Sequence, residues 1–186
     1  MTFSIRTYTQ WDENVWTETE PIYQEAFPHG AKPVHILRNI VESGIGQLHG
    51  GYLGDELVAM AVTGITRGIH GTLLIIDYMA VREDLRGSGL GRTFLEMLST
   101  WGNNKCNLQG ILIEVEAGDS EEHQERVKFW ERCGFILTEY IHQYIWVPEP
   151  YQAMVLPLGE KLSIEDGGES LFRYISSFHQ QSFRQH

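Results

Sequence analysis

Residues 75–98 read IIDYMAVREDLRGSGLGRTFLEML, and this stretch decides the fold. It grows out of Thr72–Val81, TLLIIDYMAV, a nearly unbroken apolar run rich in β-branched residues. Such a run predicts a central strand buried on both faces. Arg86-Gly87-Ser88-Gly89-Leu90-Gly91-Arg92 then forms a glycine-rich loop. Leu90, Phe94, Leu95, Met97 and Leu98 follow at helical spacing, up to Trp101. A strand that passes through glycines into a helix start makes an anion site. Glycine permits positive φ and lets a ligand approach the backbone. The first N–H groups of a helix point outward, at the positive end of its dipole. A phosphate or pyrophosphate suits that place best, and Arg86 and Arg92 bracket it. Two phosphate loops are excluded. No lysine completes GxxxxGK[ST], and G-S-G-L-G lacks GxGxxG spacing.

Outward from this stretch, Phe3–Thr9 alternates and predicts a first strand. Asp12 can N-cap a helix that carries Val15, Trp16, Ile22, Tyr23, Ala26 and Phe27. Pro21 is expected to break or restart it. Pro33–Ser43 predicts a second helix, with Val34, Leu37, Ile40 and Val41 on one face and Gly44 at its end. Gln47–Leu53 and Glu56–Thr66 flank Gly54-Asp55, a hairpin signal. Downstream, Gly110–Glu116 reads as a strand and Glu121–Cys133 as an amphipathic helix stopped by Gly134. Further strands are expected at Phe135–Tyr140, Tyr144–Val147 and Val155–Leu158. The order predicts a mixed α/β sheet with helices on both faces. Beyond Gly159 the chain turns polar, and then Leu171, Phe172, Ile175, Phe178 and Ser182 recur at helical spacing. The expected organisation is a domain over residues 1–158 and a C-terminal extension, 159–186, with an amphipathic helix. That helix either packs back on the domain or serves as a dimer or partner contact.

With 186 residues the chain has the length of one domain. Fourteen basic against 25 acidic residues leave a net charge of −11, which disfavours nucleic acid and anionic membrane surfaces as partners. Two cysteines, Cys106 and Cys133, give no disulfide framework and no zinc-ligand spacing. No metal is expected. The first residues lack the basic-then-apolar pattern of a leader, and no run is long enough to span a membrane. A cytoplasmic, soluble protein is the expectation, with a homodimer left open.

Arg86-Gly87-Ser88-Gly89-Leu90-Gly91 resembles the [Q/R]xxGx[G/A] coenzyme A loop of the GNAT N-acetyltransferase superfamily. Tyr78-Met79-Ala80-Val81 resembles that family's pantetheine-binding strand end. Phe129-Trp130-Glu131-Arg132-Cys133-Gly134-Phe135 resembles its helix–Gly-Phe–strand signature. The resemblance covers residues 3–158. It implies a mixed, mostly antiparallel sheet splayed between the fourth and fifth strands, with acetyl-CoA as co-substrate. It implies that the pantetheine arm pairs with Met79, Ala80 and Val81, and that the pyrophosphate lies on Arg86, Gly87, Ser88, Gly89, Leu90, Gly91 and Arg92. It gives the Met79 N–H the task of polarising the thioester carbonyl. Transfer would be a direct attack of the amine in a ternary complex.

Direct transfer needs a base for the acceptor ammonium and favours an acid for the leaving thiolate. Glu114 and Glu116 share one face of their strand. Glu114 falls where relatives carry a base, and Asp77 is a rival. Relatives place a tyrosine four residues before the Gly-Phe glycine; this chain has Trp130, whose indole cannot act as a proton-transfer acid. Tyr140, Tyr144 and Tyr151 are the candidate replacements. Arg126 and Lys128 lie where the coenzyme tail could be reached, or on a solvated helix face. Tyr23, Phe27, His29, His35, Tyr144, Trp146 and Tyr151 are expected around the acceptor, and aromatic lining suits a cation or an apolar amine. The leading reading is an N-acetyltransferase acting on a small-molecule primary amine. The alternatives are a protein N-terminal or lysine acetyltransferase and a non-catalytic acyl-CoA-binding regulatory module.

Overall fold

The computed structural model describes residues 2–160 and 162–184. These form two compact units. The first runs to Ile65 and adds Ile76–Lys105 and the residues from Gln180 on; the second holds Thr66–Ile75 and Cys106–His179.

The elements are β1 (Phe3–Tyr8), α1 (Glu13–Ala26), α2 (Val34–Glu42), β2 (Gly46–Leu53), β3 (Glu56–Gly68), β4 (Gly71–Val81), α3 (Leu90–Lys105), β5 (Leu108–Glu116), α4 (Glu121–Arg132), β6 (Ile136–Gln143), β7 (Pro150–Pro157) and α5 (Glu169–Ser182). The strands make one seven-stranded sheet in the order β1-β2-β3-β4-β5-β7-β6, mostly antiparallel, with β4 and β5 parallel. The β4–β5 ladder runs from Thr72↔Leu108 to Ile75↔Leu112. Beyond it β4 continues to Val81 and β5 to Glu116.

In the first unit, the Asp12 carboxylate accepts from the Asn14 and Val15 amides, as an N-cap should. Pro21 does not break α1, contrary to expectation. It removes one backbone donor, but Val15, Trp16, Thr19, Ile22 and Tyr23 stay buried along one stripe, and that burial carries the helix through. On α2 the buried face is Ile36, Leu37, Ile40 and Val41, whereas Val34, at the first turn, is exposed. Gly54 takes φ 62° in the tight β2–β3 turn, which glycine adopts without strain.

In the second unit the end of the chain departs from the alternation pattern. Tyr144–Val147 is not a strand. Pro148 and Pro150 cannot donate to a ladder, and the Gln143 side-chain amide instead donates to the carbonyls of Tyr144 (3.3 Å), Val147 (2.7 Å) and Pro148 (3.3 Å). The next strand is the whole of Pro150–Pro157, longer than Val155–Leu158.

The β6–β7 register shifts between Leu137 and Ile141. The Glu139 and Tyr140 amides in this irregular stretch donate to the Gly167 carbonyl, at 3.0 and 2.9 Å. The next residue, Gly168, lies so close that a Cβ there would stand 2.4 Å from the Thr138 Cβ. Asp166 accepts from the Gly168 and Ser170 amides and starts α5. A hydrogen bond from the Ser170 side chain first, and then these backbone bonds, hold the Asp166 carboxyl below its usual range. Leu171, Phe172, Ile175 and Phe178 are buried along α5.

Candidate active site

The candidate residues fall in both units. In the first, β4 ends at Tyr78-Met79-Ala80-Val81, with Ala80 buried and Met79 and Val81 half-buried. A short 3-10 turn, Glu83–Leu85, leads to the loop. Gly87 and Gly89 have φ of 77° and 88°, and nothing lies within 4 Å of a Cβ built at either. The backbone here is both glycine-dependent and open. Leu90, Gly91 and Arg92 begin α3. Ser88 Oγ donates to the Leu85 carbonyl at 2.5 Å, and the Thr93 amide to Gly89 at 3.2 Å, so the loop is tied at both ends. Arg86 donates through Nε to the Val81 carbonyl at 3.0 Å and through Nη2 to Glu25 at 2.7 Å. It braces the strand end against the loop. Arg92 pairs with Glu96 on the exposed face of α3.

Asp77 lies in the same unit and is settled by its partner. Lys32 Nζ donates to both carboxylate oxygens, at 2.7 and 2.6 Å, and the two side chains are 7% and 3% exposed. The Tyr23 hydroxyl donates to the Lys32 carbonyl and the Lys32 amide to the Tyr78 hydroxyl, at 3.0 and 3.1 Å. Tyr23, Phe27 and Tyr78 stack edge-on or tilted around this knot. Burial pushes the Tyr23 phenol up to about 12 and the Tyr78 phenol higher still. A carboxylate neutralised on both oxygens by a buried ammonium is a structural pair, so Asp77 is a poor base.

The second unit holds the other carboxylate. On β5 the buried Ile113 and Val115 alternate with half-buried Glu114 and Glu116, as strand geometry requires. The Tyr144 hydroxyl donates to Glu114 Oε2 at 3.0 Å. His179, on α5, donates through Nε2 to Glu114 Oε1 at 2.6 Å. Glu116 is paired with His123. Tyr151 sits edge-on to Tyr144, and burial first, then the Glu116, Glu114 and Glu149 carboxylates, push its phenol up to about 12. Trp146 stacks on Tyr144 and is 76% exposed. Tyr140 is not brought to Glu114: its hydroxyl meets His142 Nδ1 at 3.2 Å. Trp130 is buried between Phe129 and Phe135. Arg126 and Lys128 pair with Glu122 and Glu125 along α4.

The sequence singles out Glu114 and Tyr144, which the structure brings together, but not His179, which joins them. The signal was present. His179 stands seven residues after Phe172 and four after Ile175, on the apolar stripe of α5, where a titratable side chain is out of place. Among the described residues no group of three or more His, Cys, Asp or Glu is placed to hold a metal ion, and no helix is long and apolar enough to cross a membrane.

Residues 10–135 match the sequence model of the acetyltransferase (GNAT) family. No curated protein matches the chain. Among solved structures, a putative GNAT-family acetyltransferase from Bacteroides thetaiotaomicron aligns with TM-score 0.72 at 21% identity, covering 95% of this chain and 97% of that one. The ribosomal-protein-S18-alanine N-acetyltransferase of Escherichia coli aligns at 0.65 and 18% identity, covering 86% and 96%. NAA60 of Arabidopsis thaliana, crystallised with acetyl-CoA, aligns at 0.66 and 16% identity, covering 86% and 100%. At these identities the three share the fold.

Proposed function

Because the chain belongs to the acetyltransferase (GNAT) family, we propose that it moves an acetyl group from acetyl-CoA to a primary amine by direct attack. The loop carries this reading. Its positive-φ glycines leave open backbone just before a helix start, the arrangement a pyrophosphate needs. The proposed roles follow the chemistry. Met79, Ala80 and Val81 pair with the pantetheine arm, and the Met79 N–H polarises the thioester carbonyl. Arg86, Gly87, Ser88, Gly89, Leu90, Gly91 and Arg92 hold the pyrophosphate. Glu114 takes a proton from the acceptor ammonium. The amine nitrogen then bonds to the carbonyl carbon and the C–S bond breaks. Of the two protons left on that nitrogen, one stays as the amide N–H and the other is lost as the thiolate gains one from Tyr144, the phenol in reach of Glu114. One proton is released for each acetyl transferred.

The company of Glu114 favours a cationic acceptor: Glu116 follows on the same face, and Tyr144 and Tyr151 are aromatic neighbours. A small-molecule amine is the first choice, and a protein N-terminus or lysine the variant. One observation favours a second reading, a non-catalytic acyl-CoA-binding module: Trp130 is packed between two phenylalanines, and its indole N–H is no proton-transfer acid.

The experiment is a calorimetric titration with acetyl-CoA, followed by thiol release against polyamines, aminoglycosides, amino acids and short peptides. Saturable binding with release for one amine class is the expected outcome. Binding without release from any of them supports the second reading. Gly89→Asp sets a side chain and a negative charge on the loop and is expected to weaken acetyl-CoA binding at least 100-fold, about 2.7 kcal/mol. Unchanged affinity would refute the loop assignment.

A further inference from the structure

The family match ends at residue 135, yet Glu114 receives a partner from far beyond it. The second unit is built to deliver that partner. Gly167 and Gly168 seat the start of α5 on the irregular stretch of β6. Ser170 Oγ bonds the ring of His70 at 2.9 Å, and the Tyr174 hydroxyl accepts from the His70 amide at 3.1 Å. Phe172 stacks on the His142 ring with centroids 4.4 Å apart and planes 24° apart. Two turns on, His179 reaches Glu114 at 2.6 Å, with its side chain 18% exposed. A helix needs only apolar side chains to cover a sheet. This one, fixed by three polar anchors, aims an imidazole at a carboxylate that also holds a tyrosine hydroxyl.

From this geometry we infer that His179 is a positioning residue for acetyl transfer, holding Glu114 in place and sharing the proton that Glu114 removes from the acceptor ammonium. The inference rests on the proposed role of Glu114. The step balances. One N–H bond of the ammonium breaks, and its proton moves onto the Glu114–His179 pair. The freed lone pair attacks the thioester carbon, and the pair returns its proton to solvent after acetyl transfer. An imidazole suits this because it donates through one ring nitrogen while the other can exchange a proton. A carboxylate–imidazole contact also fixes the orientation of both groups.

The test uses the full chain with acetyl-CoA and the amine that gives the fastest thiol release in the panel above. His179→Ala is expected to lower kcat about 10- to 100-fold, as loss of an orienting partner does elsewhere. The KM for acetyl-CoA should stay within about twofold, since a uniform binding defect is not expected. Added imidazole should restore part of the lost rate. Thiophene, of similar shape but with no ring nitrogen, should restore none. His179→Gln, which keeps an N–H within reach of Glu114, should retain more activity than His179→Leu; this pair decides the matter if the alanine variant does not fold. A His179→Ala enzyme as fast as wild type, equal rescue by thiophene, or equal rates for the Gln and Leu variants would overturn the inference and leave Glu114 as base. A wild-type chain that releases no thiol from any amine overturns the functional reading itself.

Discussion

Asp77 and Glu114 are carboxylates on neighbouring strands of the sheet, β4 and β5, and they keep opposite company. Asp77 is almost sealed from solvent and grips an ammonium with both oxygens. Glu114 is 22% exposed and is met by a phenol and an imidazole. A lysine ammonium buried against a carboxylate fixes charge, whereas a tyrosine and a histidine can give and take protons. The first arrangement holds residues 23–32 to the strand that carries Met79. The second suits a group that works by changing protonation. Being a carboxylate on this sheet does not separate the two; the identity of their partners does.

The largest expected break in this comparison is Glu114→Gln. It should lower kcat about 10²- to 10⁴-fold, the usual worth of a general base, while the thermal midpoint stays close to wild type. Steady-state thiol release beside a thermal melt checks both halves. If the variant kept its rate and lost its fold, the two carboxylates would be of one kind. Lys32→Met probes the other side. It strands the Asp77 charge and should destabilise the first unit by about 3–5 kcal/mol. This would be read as a lower denaturant midpoint at constant m. Lys32→Met with Asp77→Leu should recover most of that loss, which tells a structural pair from a chemical one.

The smallest effect sharpens the point with a buried group that has no charged partner. His49 is fully buried, bonded to Thr7 and Thr63 at 2.9 and 2.7 Å and edge-on to Trp101. Burial pushes its imidazole down from 6.5 to about 3. Between those values the unfolded chain holds one more proton than the folded chain. The His49 contribution is therefore whole above about 6.5, and stability falls by about 1.4 kcal/mol per pH unit as pH drops towards 3. His49→Gln, compared with wild type by denaturation between pH 7 and pH 5, should lack this part of the slope. Parallel stability curves would mean the imidazole titrates normally.

Much of the fold was legible because it is local. Gly54-Asp55 marks a hairpin by turn chemistry alone, and the apolar run Thr72–Val81 marks a buried strand by composition. Val34 was misplaced because a residue at the first turn of a helix can point clear of the stripe that follows. Tyr144–Val147 was misread because alternation cannot reveal that one glutamine side chain captures three carbonyls. The candidate site was legible in part. Glu114 and Tyr144 were each singled out, but their bond joins residues 30 apart in sequence, and His179 stands 65 residues from Glu114. Periodicity tells which face a side chain occupies and is silent on what it meets there. The Lys32–Asp77 pair, 45 residues apart, was hidden for the same reason.

Residues 10–135 are what this chain holds in common with its family, and they contain Met79, the Arg86–Arg92 loop and Glu114. Tyr144 and His179 come later, one on a turn held by Gln143 and one on a helix held at its start by Asp166. Inheritance can therefore treat the two stretches differently. Under the proposed function the shared stretch answers to the acetyl donor and the later one to the acceptor. A handful of substitutions after residue 135 would change the neighbours of Glu114 and leave the Arg86–Arg92 loop untouched.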